Sequence, residues 1–433
     1  MSKITDGLNP QQLDAVLTIN GPVLVLAGAG TGKTKVITTR IAHMIANGID
    51  PASILGVTFT NKAAQEMRER LARIVNPQAA AKVTLGTFHS FCGRILRKDI
   101  RHAGNYNSRF TIADSADQHG LIRQAAAELG IAKELVSTEE AAAYISRCKN
   151  QNKWPEDALR DTEDNPAETV LAEIYERYQQ LLELQNTVDF DDMLMLTIKI
   201  FQSKPEILAH YRETYRYLLV DEYQDTNDTQ FTLLELLAGD HPNLCVVGDD
   251  DQSIYAWRGA DVRNILDFPS RFPGTKKIKL EQNYRSTNKI LQTANAVIAK
   301  NLGRYDKNLW SAKGDGENIR IIRVENGNEE AVFVADAIND LLDRNPDLCY
   351  SDCAILYRSN HLSRSFEQEF RKRGIRPKII GGQEFFQRKE VKDAVAYLKL
   401  LDNERDDQSL LRIISLPPRG IGAKAIENLR QIQ

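Results

Sequence analysis

The chain has 433 residues, 42% of them hydrophobic and 27% charged. Those are globular proportions, so disordered, collagen-like and coiled-coil chains are excluded, and at about 150 residues per domain roughly three packed units are expected. Lys and Arg number 56 against 59 Asp and Glu, a net charge of −3, so any nucleic-acid binding must rest on a local basic groove and not on overall charge.

No apolar stretch approaches the ~20 residues of a membrane span, and the first residues, Met1-Ser-Lys-Ile-Thr-Asp6, contain no secretory h-region. A cytoplasmic, bacterial-type location with no membrane partner is therefore expected. The five cysteines (Cys92, Cys148, Cys245, Cys349, Cys353) are scattered and read as reduced thiols.

In chain order, residues 22–26 form an apolar run suited to a strand buried on both faces. Val36, Ile37, Ile41, Met44 and Ile45 then recur at helical spacing. Residues 53–59 read as the next strand, followed by a helix carrying Ala64, Met67, Leu71 and Ile74 on one stripe. This alternation marks a parallel α/β sheet. Between 105 and 185 Val and Ile runs give way to Ala, Glu, Gln and Arg, as in a helical insertion. Strand patterns return at 217–220 and 244–247. A further α/β run starts near Ile278, with strands expected at 319–324, 353–357 and 378–380, and the chain turns helical after 383.

Three strand ends carry the chemistry. Ala27-Gly-Ala-Gly-Thr-Gly-Lys-Thr34 follows a buried strand and opens a helix, the setting of a phosphate-binding loop. Gly28, Gly30 and Gly32 allow backbone N–H groups to turn inward on phosphate oxygens, with the amides of Ala29 and Thr31 alongside. Lys33 reaches the β/γ-phosphates and Thr34 offers a hydroxyl to Mg2+. Ala27 stands where the general pattern has Gly. Asp221 and Glu222, ending the second strand, suit a metal-holding acid and a general base; the competing reading is a helix N-cap. The third end leads through Asp249-Asp-Asp251 to Gln252, a γ-phosphate sensor, and straight on to Tyr255, Trp257 and Arg258. Aromatics interleaved with Arg suit base stacking and phosphate contact, against a plain reading of core packing. Phe59-Thr-Asn61 and Thr87-Phe-His89 share that character, so Phe59, Asn61, Thr87 and His89 join the candidates for base and phosphate contact.

With Leu8-Asn-Pro-Gln-Gln12, Phe59-Thr-Asn-Lys-Ala-Ala64, Thr87-Phe-His-Ser90, Asp189-Phe-Asp-Asp192, Val220-Asp-Glu-Tyr-Gln-Asp225, Gly248-Asp-Asp-Asp-Gln-Ser-Ile-Tyr255 and Leu280-Glu-Gln-Asn-Tyr-Arg-Ser-Thr287 in this order, the sequence resembles superfamily 1 DNA helicases of the UvrD/Rep/PcrA type. The resemblance implies two RecA-like motor domains that use ATP and Mg2+ to move 3′-to-5′ along single-stranded DNA. Gln12 is then expected to read the adenine edge, Tyr284 to stack on the base, and Arg285 to act as an arginine finger. Phe59, His89, Phe190, Tyr255, Trp257 and Arg258 are expected on single-stranded DNA. Gly420 and Gly422 resemble a Gly-Ile-Gly hairpin that grips duplex phosphates.

The implied organisation is a first motor domain at 1–104 and 189–277, a helical insertion at 105–188, an incomplete second motor domain at 278–382, and the start of a further helical insertion at 383–433. The family's last two motifs are expected downstream of Gln433, and so absent. Expected partners are single-stranded DNA, single/double-strand junctions and repair or replication proteins. Two alternatives stay open: the motor of a nuclease-helicase complex, and a nucleotide-gated DNA-binding module that never unwinds.

Overall fold

The computed structural model describes residues 2–162, 165–240, 242–380, 389–417, 419–421 and 425. The elements that matter begin with helix α1 (Pro10–Leu17), strand β1 (Val23–Ala27), α2 (Lys33–Ala46), β2 (Ile54–Thr58), α3 (Asn61–Ile74), β3 (Thr84–Thr87) and α4 (Phe88–Asp99). A helical section follows: the short β4 (Thr111–Ile112), α5 (Ser115–Glu128), α6 (Thr138–Asn150), α7 (Pro155–Asp161), α8 (Pro166–Leu184) and β5 (Thr187–Val188), whose two short strands pair with each other. Next come α9 (Phe190–Ser203), α10 (Pro205–Thr214), β6 (Tyr217–Val220), α11 (Asp228–Ala238), β7 (Leu244–Gly248), β8 (Lys276–Leu280) and α12 (Asn288–Ile298).

The main sheet has the order β3-β2-β6-β7-β1-β8, and every pairing in it is parallel. Central strands are buried on both faces, so alternate side chains feed two different cores. Leu24, Leu26, Leu55, Val57, Leu218, Val220, Leu244 and Val246 pack with α4, α9 and α11. Val23, Val25, Ala27, Ile54, Leu219, Cys245 and Val247 pack with α2 and α3. Because the strands are parallel, all six C-terminal ends share one rim, where open α/β sheets bind ligands.

Two compact units are present: residues 1–318 with 399–433, and residues 319–398. The boundary expected at 278 falls inside β8, which is hydrogen-bonded along β1 with Val25 opposite Ile278. Ile278 and Leu280 fill the α2/α3 core while Lys276, Lys277 and Lys279 are exposed, as suits an edge strand. Alternation identifies a strand, but which sheet it joins is decided by distant hydrogen bonds.

The unit at 319–398 contains α13 (Gly327–Arg344) and α14 (Ser363–Lys372), joined by Ala331, Ala335, Phe366 and Phe370. The strands expected at 319–324, 353–357 and 378–380 are not formed among the described residues. Ile321 and Leu356 are each 95% exposed; apolar pattern alone does not supply the neighbouring strand that a ladder needs. Further along the chain, α15 (Lys389–Asp402) and α16 (Asp407–Ile413) are helical.

Candidate functional site

The cradle at the end of β1 is shaped by two left-handed glycines, Gly30 (φ +69°) and Gly32 (φ +89°), a conformation that costs an L side chain energy. Gly30 also has no room for a side chain: a Cβ there would lie 2.6 Å from Asn283 Nδ2. Thr31 Oγ1 donates to Gly28 O (2.7 Å) and closes the turn. Asn283 Nδ2 donates to Ala29 O (2.6 Å) and Tyr284 N–H to Gly30 O (2.9 Å). Asn283 Oδ1 also accepts from the N–H groups of Arg285 and Ser286. Asn283, which sequence reasoning missed, thus lays the Tyr284–Arg285 turn over the loop.

Gln12 lies beneath, 1% exposed. Its Nε2 donates to Thr31 O (2.8 Å) and its Oε1 accepts from Asn9 N–H (3.1 Å) in a capping box on α1. One amide hydrogen and one lone pair remain for a base edge. Tyr284 is 45% exposed, its hydroxyl bridging Asn9 and Gln282. Arg285 is exposed, and among the described residues its guanidinium makes no ion pair.

Across the cradle, Lys33 Nζ meets Glu222 Oε2 at 2.9 Å. Glu222 is left-handed (φ +52°), a strained backbone for a non-glycine and of the sort that clusters at functional sites. Asp221 is 5% exposed, and burial, reinforced by Glu222 and opposed by Lys33, pushes its carboxyl up to about 7. Gln224 Nε2 donates to Glu222 Oε2 (3.0 Å), Asp249 N–H donates to Gln224 Oε1 (2.9 Å), and Gln252 Nε2 donates to Asp249 Oδ2 (2.5 Å). An unbroken chain of contacts therefore runs Lys33–Glu222–Gln224–Asp249–Gln252. Gln224 was not foreseen; sitting between two acids and Asp225, it carried no separate signal.

On the same rim a cavity of about 930 Å³ is lined by Phe59, His89, Phe190, Trp257 and Arg258, among others. Phe59 stacks on Tyr255 with centroids 5.1 Å apart, Tyr255 meets Trp257 at 6.3 Å, and the Arg258 guanidinium sits 4.7 Å above the Trp257 ring. His89 and Phe190 pair at 5.1 Å. Trp257 is 69% exposed and Tyr255 half-buried, so the core-packing reading fails for Trp257; Phe190 is 58% exposed. Burial drives His89 down to about 4, leaving a neutral ring at physiological pH.

Two candidates sit elsewhere. Thr87 is 8% exposed and caps α4 by accepting from Ser90 N–H; Asn61 opens α3 in solvent and does not line the cavity. Gly420 is left-handed (φ +71°), and Gly422 lies outside the described residues.

The helical section supplies Ser146, Arg147, Lys149 and Asn150 to the cavity lining, none of them anticipated. Lys149 Nζ lies 2.7 Å from both Asp189 and Asp192, all three buried. This triad fixes the start of α9 and so the position of Phe190.

Comparison with known proteins bears on this geometry. Residues 8–273 match the UvrD/REP helicase N-terminal domain, and residues 278–433 match the UvrD-like helicase C-terminal domain. The expectation that the C-terminal helicase motifs are absent is therefore not borne out. The chain is 43% identical over 430 residues to an ATP-dependent DNA helicase PcrA of Leuconostoc citreum, covering 99% of this chain and 57% of that protein. It is equally similar to the PcrA helicases of Staphylococcus epidermidis and Staphylococcus aureus, over 431 residues and 58% of each. The chain thus spans somewhat over half the length of these relatives, and no described helix is long and apolar enough to cross a membrane. Parallel sheet, cradle, acid strand end and aromatic rim lie in the region of the N-terminal match, and with both matches spanning nearly the whole length, the chain belongs to the UvrD/REP helicase family.

Proposed function

We propose that this chain couples ATP hydrolysis to 3′-to-5′ movement along single-stranded DNA, and to unwinding at single/double-strand junctions in repair or replication. The observation that carries the reading is the chain of contacts from Lys33 to Gln252, whose loop continues directly into Tyr255 and Trp257.

In this reading the amides of residues 28–32 hold the phosphate chain and Lys33 leaves Glu222 for the β/γ-phosphates. Glu222, still held by Gln224, is then free to accept a proton from the attacking water. Gln252 senses the γ-phosphate, and Arg285 stabilises charge on it, a role typically worth ~10³–10⁵ in turnover. Tyr284 and Gln12 flank the adenine. Thr34 and Asp221 fit a divalent cation: the Asp221 carboxylate is buried, accepts from the Glu222 N–H (3.0 Å) and has no cationic hydrogen-bond partner among the described residues. When bound, Mg2+ supplies charge neutralisation at the phosphates. Phe59, Phe190, Tyr255 and Trp257 offer ring faces to bases, and Arg258 offers a cation to the backbone. A cytoplasmic location and protein partners in repair or replication belong to the same reading.

The test is steady-state ATP hydrolysis by the purified chain with and without single-stranded DNA, beside Lys33→Ala. DNA-stimulated turnover that Lys33→Ala abolishes is expected. ATP binding that survives Lys33→Ala unchanged would overturn the cradle assignment. DNA binding without unwinding of a 3′-tailed duplex would favour a gated binding module.

A further inference from the structure

We propose that residues 304–309 form a strap between the γ-phosphate sensor loop and the phosphate cradle, with Lys307 as the positioning residue for Gln252. The inference rests on the ATP-hydrolysis reading above and adds to it a residue far from every motif that suggested it.

Three consecutive acids, Asp249, Asp250 and Asp251, precede Gln252. Their carboxylate oxygens lie close enough together to hold a metal ion, yet their cation is already present. Lys307, 6% exposed, places its ammonium 2.7 Å from Asp249 Oδ1 and 3.1 Å from Asp251 Oδ2, and it also contacts Asp250. Arg304 grips Asp251 with two parallel bonds of 2.6 and 2.7 Å, the geometry that fixes a carboxylate's direction as well as its charge. Tyr305 N–H donates to Asp250 Oδ2 at 2.6 Å. One short segment therefore contacts every carboxylate of the acidic run, setting two cations and a backbone N–H against three acids.

Its other end rests on the cradle. Leu309 lies so close to Gly28 that a Cβ there would sit 2.4 Å from Leu309 Cδ2. Next to it, Trp310 pairs with Glu281 and Asn283 through the backbone, and Asn283 holds Ala29 O. The strap thus touches both the loop that would meet the phosphates and the loop that would sense them.

Asp249 is where the strap acts. Its Oδ1 is held by Lys307, and its Oδ2 accepts from Gln252 Nε2 at 2.5 Å. Lys307 sets the carboxylate's orientation and the carboxylate aims the glutamine. Without the ammonium, three crowded carboxylates repel one another and Gln252 loses its direction, while Lys33 and the cradle amides are untouched.

The test compares wild type, Lys307→Met and Lys307→Arg for ATP turnover with single-stranded DNA, and follows backbone hydrogen exchange of residues 27–34 and 249–257 with and without ADP. Lys307→Met is expected to lower kcat at least tenfold while KM for ATP stays within about twofold, and Lys307→Arg to recover most of the loss. In wild type, ADP slows exchange at both segments; in Lys307→Met it does so only at 27–34. An unchanged kcat, or ADP protection of 249–257 that persists without the ammonium, overturns the strap. Should Lys307→Met not fold, Leu309→Ala replaces it. Loss of ADP-linked protection at 249–257 then supports the strap, and its retention overturns it. A wild-type chain that neither binds ADP nor turns over ATP refutes the functional reading and the strap together, whereas wild-type turnover with an indifferent Lys307→Met refutes the strap alone.

Discussion

Trp257 shows most directly what a single residue contributes at this rim. It is 69% exposed, yet ordered between the Tyr255 ring and the Arg258 guanidinium. Large exposed aromatics lower no folding free energy by burial, so a position like this one is best explained by a ligand that covers it. Stacking a base on an aromatic ring is worth ~1–3 kcal/mol and tolerates any sequence. Trp257→Ala is therefore expected to weaken binding of a short oligothymidine about 5- to 150-fold at fixed salt, with ATP affinity unchanged. Fluorescence anisotropy of labelled DNA measures the first and nucleotide titration the second. Equal loss in both would mean that Trp257 supports the nucleotide site structurally and not the DNA. His89, paired with Phe190 in the same cavity, is a neutral ring, and its replacement should leave the salt dependence of DNA binding unchanged.

At the scale of elements, the joint between α6 and α9 is the feature that local sequence conceals. Lys149 ends a helix of the helical section, while Asp189 and Asp192 open the helix bearing Phe190. All three are buried, with Tyr178 donating to Asp189 as well. Even beside the ammonium, Asp192 is pushed up to about 6 by burial and by Asp189. Removing the cation leaves two desolvated carboxylates, and breaking a buried pair in this way costs about 3–5 kcal/mol. Lys149→Met should shift urea unfolding by that amount. Lys153→Ala removes only the exposed pair with Asp161 and should cost no more than about 1 kcal/mol. Similar shifts in the two variants would show that the triad is not the joint. The phosphate cradle and the Tyr255–Arg258 cluster were legible because each is a contiguous run whose residue types state their chemistry. Lys149, Gln224, Asn283 and Lys307 were not, because each is an ordinary polar residue until the fold brings a partner to it, and for Lys307 that partner is 56 to 58 residues away.

Over the whole molecule, the same distinction separates what the strand pattern revealed from what it did not. Fully apolar runs such as 22–26 could only be buried between neighbours, and this one forms an interior strand of the sheet, flanked by β7 and β8. The shorter apolar runs at 319–324 and 353–357, read as strands, form no ladder among the described residues. The two units consequently differ in how they are held. In the first, each central strand contributes side chains to a core on either face. In the second, α13 and α14 meet through four buried side chains, two of them alanines. Burial contributes ~25 cal/mol per Å² of apolar surface, so this contact offsets little of the ~1–2 kcal/mol per residue of backbone entropy lost on ordering it. Local opening of α13 and α14 should therefore require far less free energy than opening of β1 or β7. Native-state hydrogen exchange tests this directly: amides of 327–344 and 363–372 should exchange at least a hundredfold faster than those of 23–27 and 244–248. Equal protection in both sets would mean that α13 and α14 are held by more than this four-residue core.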